Sequence, residues 1–161
     1  MNSQYSSAID TNYQSERERI ENLLEEDFPF VYFWIHSIII LLIGLVEAIL
    51  AIESKSNYGP DLDIGFSLLG SSFLVVLGFL SILLIFYRSY SMLKVCLHFY
   101  CVSLITNISG LICLNIVNIN RSECSQIDQC KIGSHVTMLI FGIVSLIANV
   151  AHVIILETRY F

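Results

Sequence analysis

Residues 30–52 read FVYFWIHSIIILLIGLVEAILAI, 23 residues in which Glu47 is the one formal charge. A helix rises about 1.5 Å per residue, so this stretch covers the roughly 30 Å hydrocarbon core of a bilayer. Backbone amides in that core have no water to bond, which obliges such a stretch to be helical. The pattern recurs at 64–87, 95–117 and 135–156. Four runs of this kind in 161 residues leave only short polar connections. The chain therefore reads as all-α, an integral membrane four-helix antiparallel bundle with short loops and an acidic amino-terminal tail. Residues 1–29 form the tail, 30–156 the membrane domain with the bilayer as its solvent, and 157–161 a short end.

Composition agrees, with a mean hydropathy of +0.72. The net charge of −6 is concentrated in the tail, where Asp10, Glu16, Glu18, Glu21, Glu25, Glu26 and Asp27 face only Arg17 and Arg19. Nucleic acid and an anionic leaflet both repel such a tail, which excludes them as its partners. No basic segment precedes the first apolar run, so that run is expected to stay in place and to serve as the targeting signal. Within the tail, Ser15 and Glu18 match a capping box, and Ile20, Leu23, Leu24 and Phe28 recur at helical spacing. The pattern predicts a helix from about Glu16 to Asp27 that ends before Pro29 and lays its apolar stripe against the membrane.

Arg88 and Lys94 bracket the 88–94 connection with no acid between them. The positive-inside bias places that loop in the cytoplasm of a cell-membrane protein, and both termini with it. Cys124 and Cys130 are the only cysteines outside the apolar runs, and both fall in the 118–134 loop. On the outer side of the membrane such a pair is expected to form a disulfide, stabilising the loop by about 2 kcal/mol. Asn120-Arg-Ser122 and Asn107-Ile-Ser109 are sequons by pattern. The first sits too close to a membrane end for efficient modification, and the second lies in mid-helix, so little glycan is expected.

Small residues mark the packing faces. They are Ser37, Gly44, Ala48 and Ala51 in the first span, and Ser67, Gly70, Ser71, Gly78 and Ser81 in the second. Ser103, Asn107 and Gly110 mark the third span, and Gly142, Ser145, Asn149 and His152 the fourth. Such residues let helix backbones approach closely, the main source of packing energy in lipid. Gly78 and Gly110 are expected on the seam between spans two and three, with Leu83 on the lipid face. Intramembrane polar groups are the positions where function is sought. Glu47, near the outer end of its span, is expected to snorkel or to share a proton with Asn115 or Thr137. His36 and His152 are expected at similar depth, each bonding a neighbouring helix. Cys96 and Cys101 are placed at the cytoplasmic end of span three, as packing residues or palmitoylation sites. No nucleophile elbow, phosphate-cradling glycine loop or metal-ligand spacing is present, so no catalytic residue, cofactor or metal is assigned.

A resemblance adds to this reading. Ile-Ile-Ile-Leu-Leu-Ile-Gly-Leu from Ile38 to Leu45 resembles the first span of the membrane-spanning 4-domains subfamily A, the family of the B-lymphocyte tetraspan antigen and the high-affinity IgE receptor beta subunit. Gly70, Gly78, Leu80, Ser81 and Ile82 are in step with its second-span signature, and Ser103 and Gly110-Leu111-Ile112 with its third. The likeness covers roughly residues 36–117, with Leu69 in place of a common tryptophan and Tyr100 in place of an asparagine. It implies a non-enzymatic, receptor-associated tetraspan that modulates trafficking or signalling, in homo- or hetero-oligomers with other membrane proteins. Glu47 and the polar faces motivate the alternative, an oligomeric ion channel or channel regulator.

Overall fold

A computed structural model describes residues 2–58, 62–113, 115, 116 and 128–161, and among these it describes the side chains of all but 2–12, 54–58, 62–66, 128–132 and 134. Every element in it is helical: α1 (Asn2–Glu26), α2 (Phe30–Tyr58), α3 (Leu62–Phe86), α4 (Tyr90–Thr106) and α5 (Asp128–Tyr160), with a π-helical segment, Asn107–Cys113, continuing α4. Among the described residues, four stretches are long and apolar enough to cross a membrane: Phe30–Glu53, Ser67–Phe86, Tyr90–Cys113 and His135–Tyr160. These are the length and composition of a multi-pass membrane protein.

The helices outrun the apolar runs that nucleate them, because propagation needs only a continuing ladder of hydrogen bonds and stops at a breaker. Pro29, with no N–H to donate, separates α1 from α2. Ser89 begins α4: its backbone is extended, at φ −117° and ψ 150°, and its hydroxyl accepts from the Met92 amide at 3.2 Å. The third span thus starts at Tyr90 rather than Val95, and Lys94 sits inside the helix rather than in the connection. Near the other end of this span, the Thr106 and Ser109 hydroxyls donate to the Val102 and Ile105 carbonyls at 3.1 and 2.8 Å. Side-chain donors that compete for carbonyls loosen a helix, and the widened π turn lies here.

Among the described residues, helices α2 and α3 form the most extensive contact. A Cβ added at Gly44 would lie 2.9 Å from the Val75 amide nitrogen, and one at Gly78 would lie 2.9 Å from Leu41 Cβ and 3.1 Å from its Cα. The Gly78 seam therefore faces the first span, not the third as the small-residue pattern alone suggested. The third span approaches α3 at Gly70, where Leu111 Cγ is 3.1 Å from the position a Cβ would take.

The largest change from expectation is at the amino terminus. α1 starts at Asn2, well before Ser15, so the expected capping box falls in mid-helix. Ile20 and Leu24 are fully buried in the main core, together with Phe33, Leu93, Leu156 and Tyr160. The apolar stripe therefore covers the end of the bundle and is not free to lie on a membrane. Cationic side chains add contacts to that burial. Arg159 donates to the Asp27 carbonyl at 2.9 Å, and Arg19 to the Tyr160 carbonyl at 3.3 Å. Arg88 stands 5.1 Å from the Phe28 ring centre, and the Lys94 ammonium 4.6 and 5.1 Å from those of Tyr90 and Tyr13.

Candidate functional site

The bundle interior is polar along much of its length. Burial accounts for the small-residue faces: Ser37, Gly44, Ser71, Gly78, Ser81, Ser103, Asn107, Gly110, Gly142, Ser145, Asn149 and His152 all point inward. Serines here mostly bond their own helix, as Ser37 does to the Phe33 carbonyl at 2.7 Å. Ser81 instead pairs across helices with the Tyr100 hydroxyl at 2.8 Å.

Nearest α1 lies an aromatic layer. His36 and His152 stack with ring centres 3.9 Å apart and planes 4° from parallel. Tyr32 stacks on His152 at 5.4 Å, and its hydroxyl meets His152 Nδ1 at 3.0 Å. Tyr100 lies 4.7 Å from His152 and 5.9 Å from His36. The two histidines thus share a level, and His152 bonds the neighbouring helix α2 through Tyr32, while His36 stacks on His152. Neither Tyr32 nor Tyr100 was expected in the interior from the sequence, where Tyr100 entered only as a departure from the family pattern. Tyr32 lies one helical turn before His36, which was the available signal.

Further along, Asn107 donates its amide to the Ser145 hydroxyl, and Ser145 donates in turn to the Gly142 carbonyl at 3.0 Å. A Cβ on Gly142 would lie 3.6 Å from Asn107 Oδ1. At the level beyond, Asn115 donates to the Leu111 carbonyl at 2.6 Å, and its Oδ1 lies 2.7 Å from His135 Nδ1. Thr137 donates to the Gly133 carbonyl at 2.8 Å.

Glu47 overturns the snorkelling expectation. It is 0% exposed, and both carboxylate oxygens are without a hydrogen-bond partner among the described residues. Its expected partners, Asn115 and Thr137, bond elsewhere. Asn149 is equally buried with neither amide atom paired, and Asn107 Oδ1, Ser103 Oγ and the Nε2 atoms of His36 and His152 are also unpaired. Each such group ordinarily costs about 1–3 kcal/mol, so their alignment along one interior demands a physical reason.

The cysteine expectations change too. Cys96 is fully buried, with its thiol 3.5 Å from the Leu80 carbonyl, and is a packing residue rather than an acylation site. Cys101 is exposed, but it lies about 16 Å along a helix that starts at Tyr90, far from the end where palmitoylation was expected. Asn107 is buried within its helix, out of reach of a glycosylation enzyme. Cys124 and Asn120 lie outside the described residues, as does the side chain of Cys130, and the expected disulfide with them. Among the described residues, no three histidine, cysteine, aspartate or glutamate side chains converge as a metal site. The chain matches no protein-family model, no curated protein and no solved structure.

Proposed function

We propose that the chain is a non-enzymatic tetraspan of a cell membrane, an antiparallel bundle with both ends in the cytoplasm, which associates with surface receptors and modulates their trafficking or signalling. The observation that carries the reading is the two-faced character of the helices. The small residues are spent on packing within one chain, while Ile35, Ile38, Leu42, Leu45, Ile49 and Ile52 leave a long apolar stripe of α2 uncovered. That stripe suits lipid and the helices of other membrane proteins. Membership of the membrane-spanning 4-domains subfamily A, which the spacing across spans one to three resembles, fits the same role. The clustering of Arg19, Arg88, Lys94 and Arg159 at the α1 end supports a cytoplasmic placement of that end. The exposed acidic side chains of α1, Glu18, Glu25 and Glu26 among them, then offer a docking face to cytoplasmic partners.

Mild-detergent purification followed by mass spectrometry of the co-purifying proteins tests this. Recovery of a receptor in stoichiometric amount supports it. A homogeneous homo-oligomer that conducts ions in planar bilayers would favour the channel alternative, for which the buried Glu47 is the specific motive.

A further inference from the structure

The contacts around Glu47 fix what shares its level. Gly44 meets Val75 and Leu74 of α3, and Gly78 meets Leu41, so advancing along α2 means retreating along α3. Three residues beyond Gly44, Glu47 comes opposite Ser71. The His36–His152 stack sets the register of α2 against α5, and the same count along both helices brings Glu47 to Phe141, the neighbour of the buried Gly142. Gly142 in turn abuts Asn107 Oδ1. One turn further out, Ala51 and Met138 form a buried cluster with Leu50 and Leu68, which confirms the register.

The unpaired polar atoms at this level are oxygens. Ser71 and Ser145 spend their hydroxyl protons on the Leu68 and Gly142 carbonyls, at 2.9 and 3.0 Å. Asn107 gives one of its two amide protons to Ser145, its Oδ1 is unpaired, and Glu47 contributes two unpaired oxygens. Buried oxygens left without a hydrogen-bond partner suit a hard cation, and a single carboxylate balances a single charge.

We propose that Glu47, with Asn107 Oδ1 and the Ser71 and Ser145 hydroxyl oxygens, binds one alkali cation inside the bundle. The aromatic stack of Tyr32, His36, Tyr100 and His152 closes the interior on one side, and Ala51 with Met138 on the other. The ion is therefore held as part of the fold and does not flow through it. Association with receptors does not depend on it, and either inference can fail alone.

The test is thermal unfolding of the purified full-length chain in sodium, potassium or choline chloride at one ionic strength. Sodium or potassium is expected to raise the midpoint saturably, by about 5 °C or more, over choline. Glu47→Gln is expected to remove the dependence while keeping the fold. Asn107→Ala is expected to raise the half-saturating concentration at least about tenfold (a 1.4 kcal/mol loss). Equal midpoints of the native chain in all three salts would overturn the proposal. So would an alkali dependence that survives Glu47→Gln. A carboxylic-acid carbonyl band in the infrared, lost in Glu47→Gln and unchanged by sodium, would instead assign a proton to the site and also overturn it.

Discussion

At the scale of single residues, a glycine and a leucine five positions apart on α3 have opposite consequences. Gly78 has the Leu41 backbone against it, so Gly78→Leu must force α2 and α3 apart. Overpacking of this kind costs about 1–3 kcal/mol. Leu83 is 42% exposed on the outer face, where detergent or lipid fills the space that Leu83→Ala leaves. Monodisperse yield and melting midpoint in detergent are expected to fall sharply for the first variant and little for the second. Equal tolerance would mean that α2 and α3 do not meet at Gly78. The small residues were legible as a class because only they permit close approach. Which helix each one faces was not, since a stripe of small residues on one helix looks the same whichever neighbour it meets.

At the scale of elements, α1 is the part whose role the chain's pattern left open. An amphipathic helix with an acidic face has two candidate surfaces for its apolar stripe, the membrane and the protein. The choice falls to the protein because Leu93, Leu156 and Tyr160 form an apolar end that Ile20 and Leu24 complete, while the acids stay in solvent. Leu24→Asp would bury a charge against that end and is expected to release α1. Limited proteolysis checks this: cleavage between α1 and α2 should speed up by an order of magnitude or more, with the four apolar helices intact. Unchanged cleavage would show that the cationic contacts of Arg19, Arg88 and Arg159 suffice. Such contacts at exposed sites contribute only about 0.5–1 kcal/mol each, so apolar burial is expected to dominate.

At the scale of the whole molecule, orientation is the property to test first. Epitopes at either end are expected to be reached by antibody only after the cell is permeabilised, and staining of intact cells would reverse the topology. Termini in the cytoplasm would put Cys124 and Cys130 in an oxidising compartment. Maleimide labelling of the denatured chain should therefore gain two adducts after reduction. If both thiols label without reductant, the loop is not cross-linked, and its side of the membrane has to be reassigned.

Four helices long enough to cross a bilayer were determined by the amino-acid sequence alone, because in lipid the backbone has no alternative to bonding itself. Most of the small residues that mark the helix faces in the sequence are buried, from Ser37 and Gly44 through Asn149 and His152, although Ala48 is only half-buried. What those residues do to one another was not legible there. His36 and His152 are 116 positions apart, and only the packing of α2 on α5 turns two separate histidines into a stacked pair. Glu47 reads as a carboxylate near a membrane surface until the rotation of α2 turns it inward, away from solvent, while Asn115 and Thr137 bond other groups. Hydropathy is a sum over a stretch and survives any arrangement of its neighbours. The partner of a buried polar group depends on helix rotation and register, which only the tertiary structure decides.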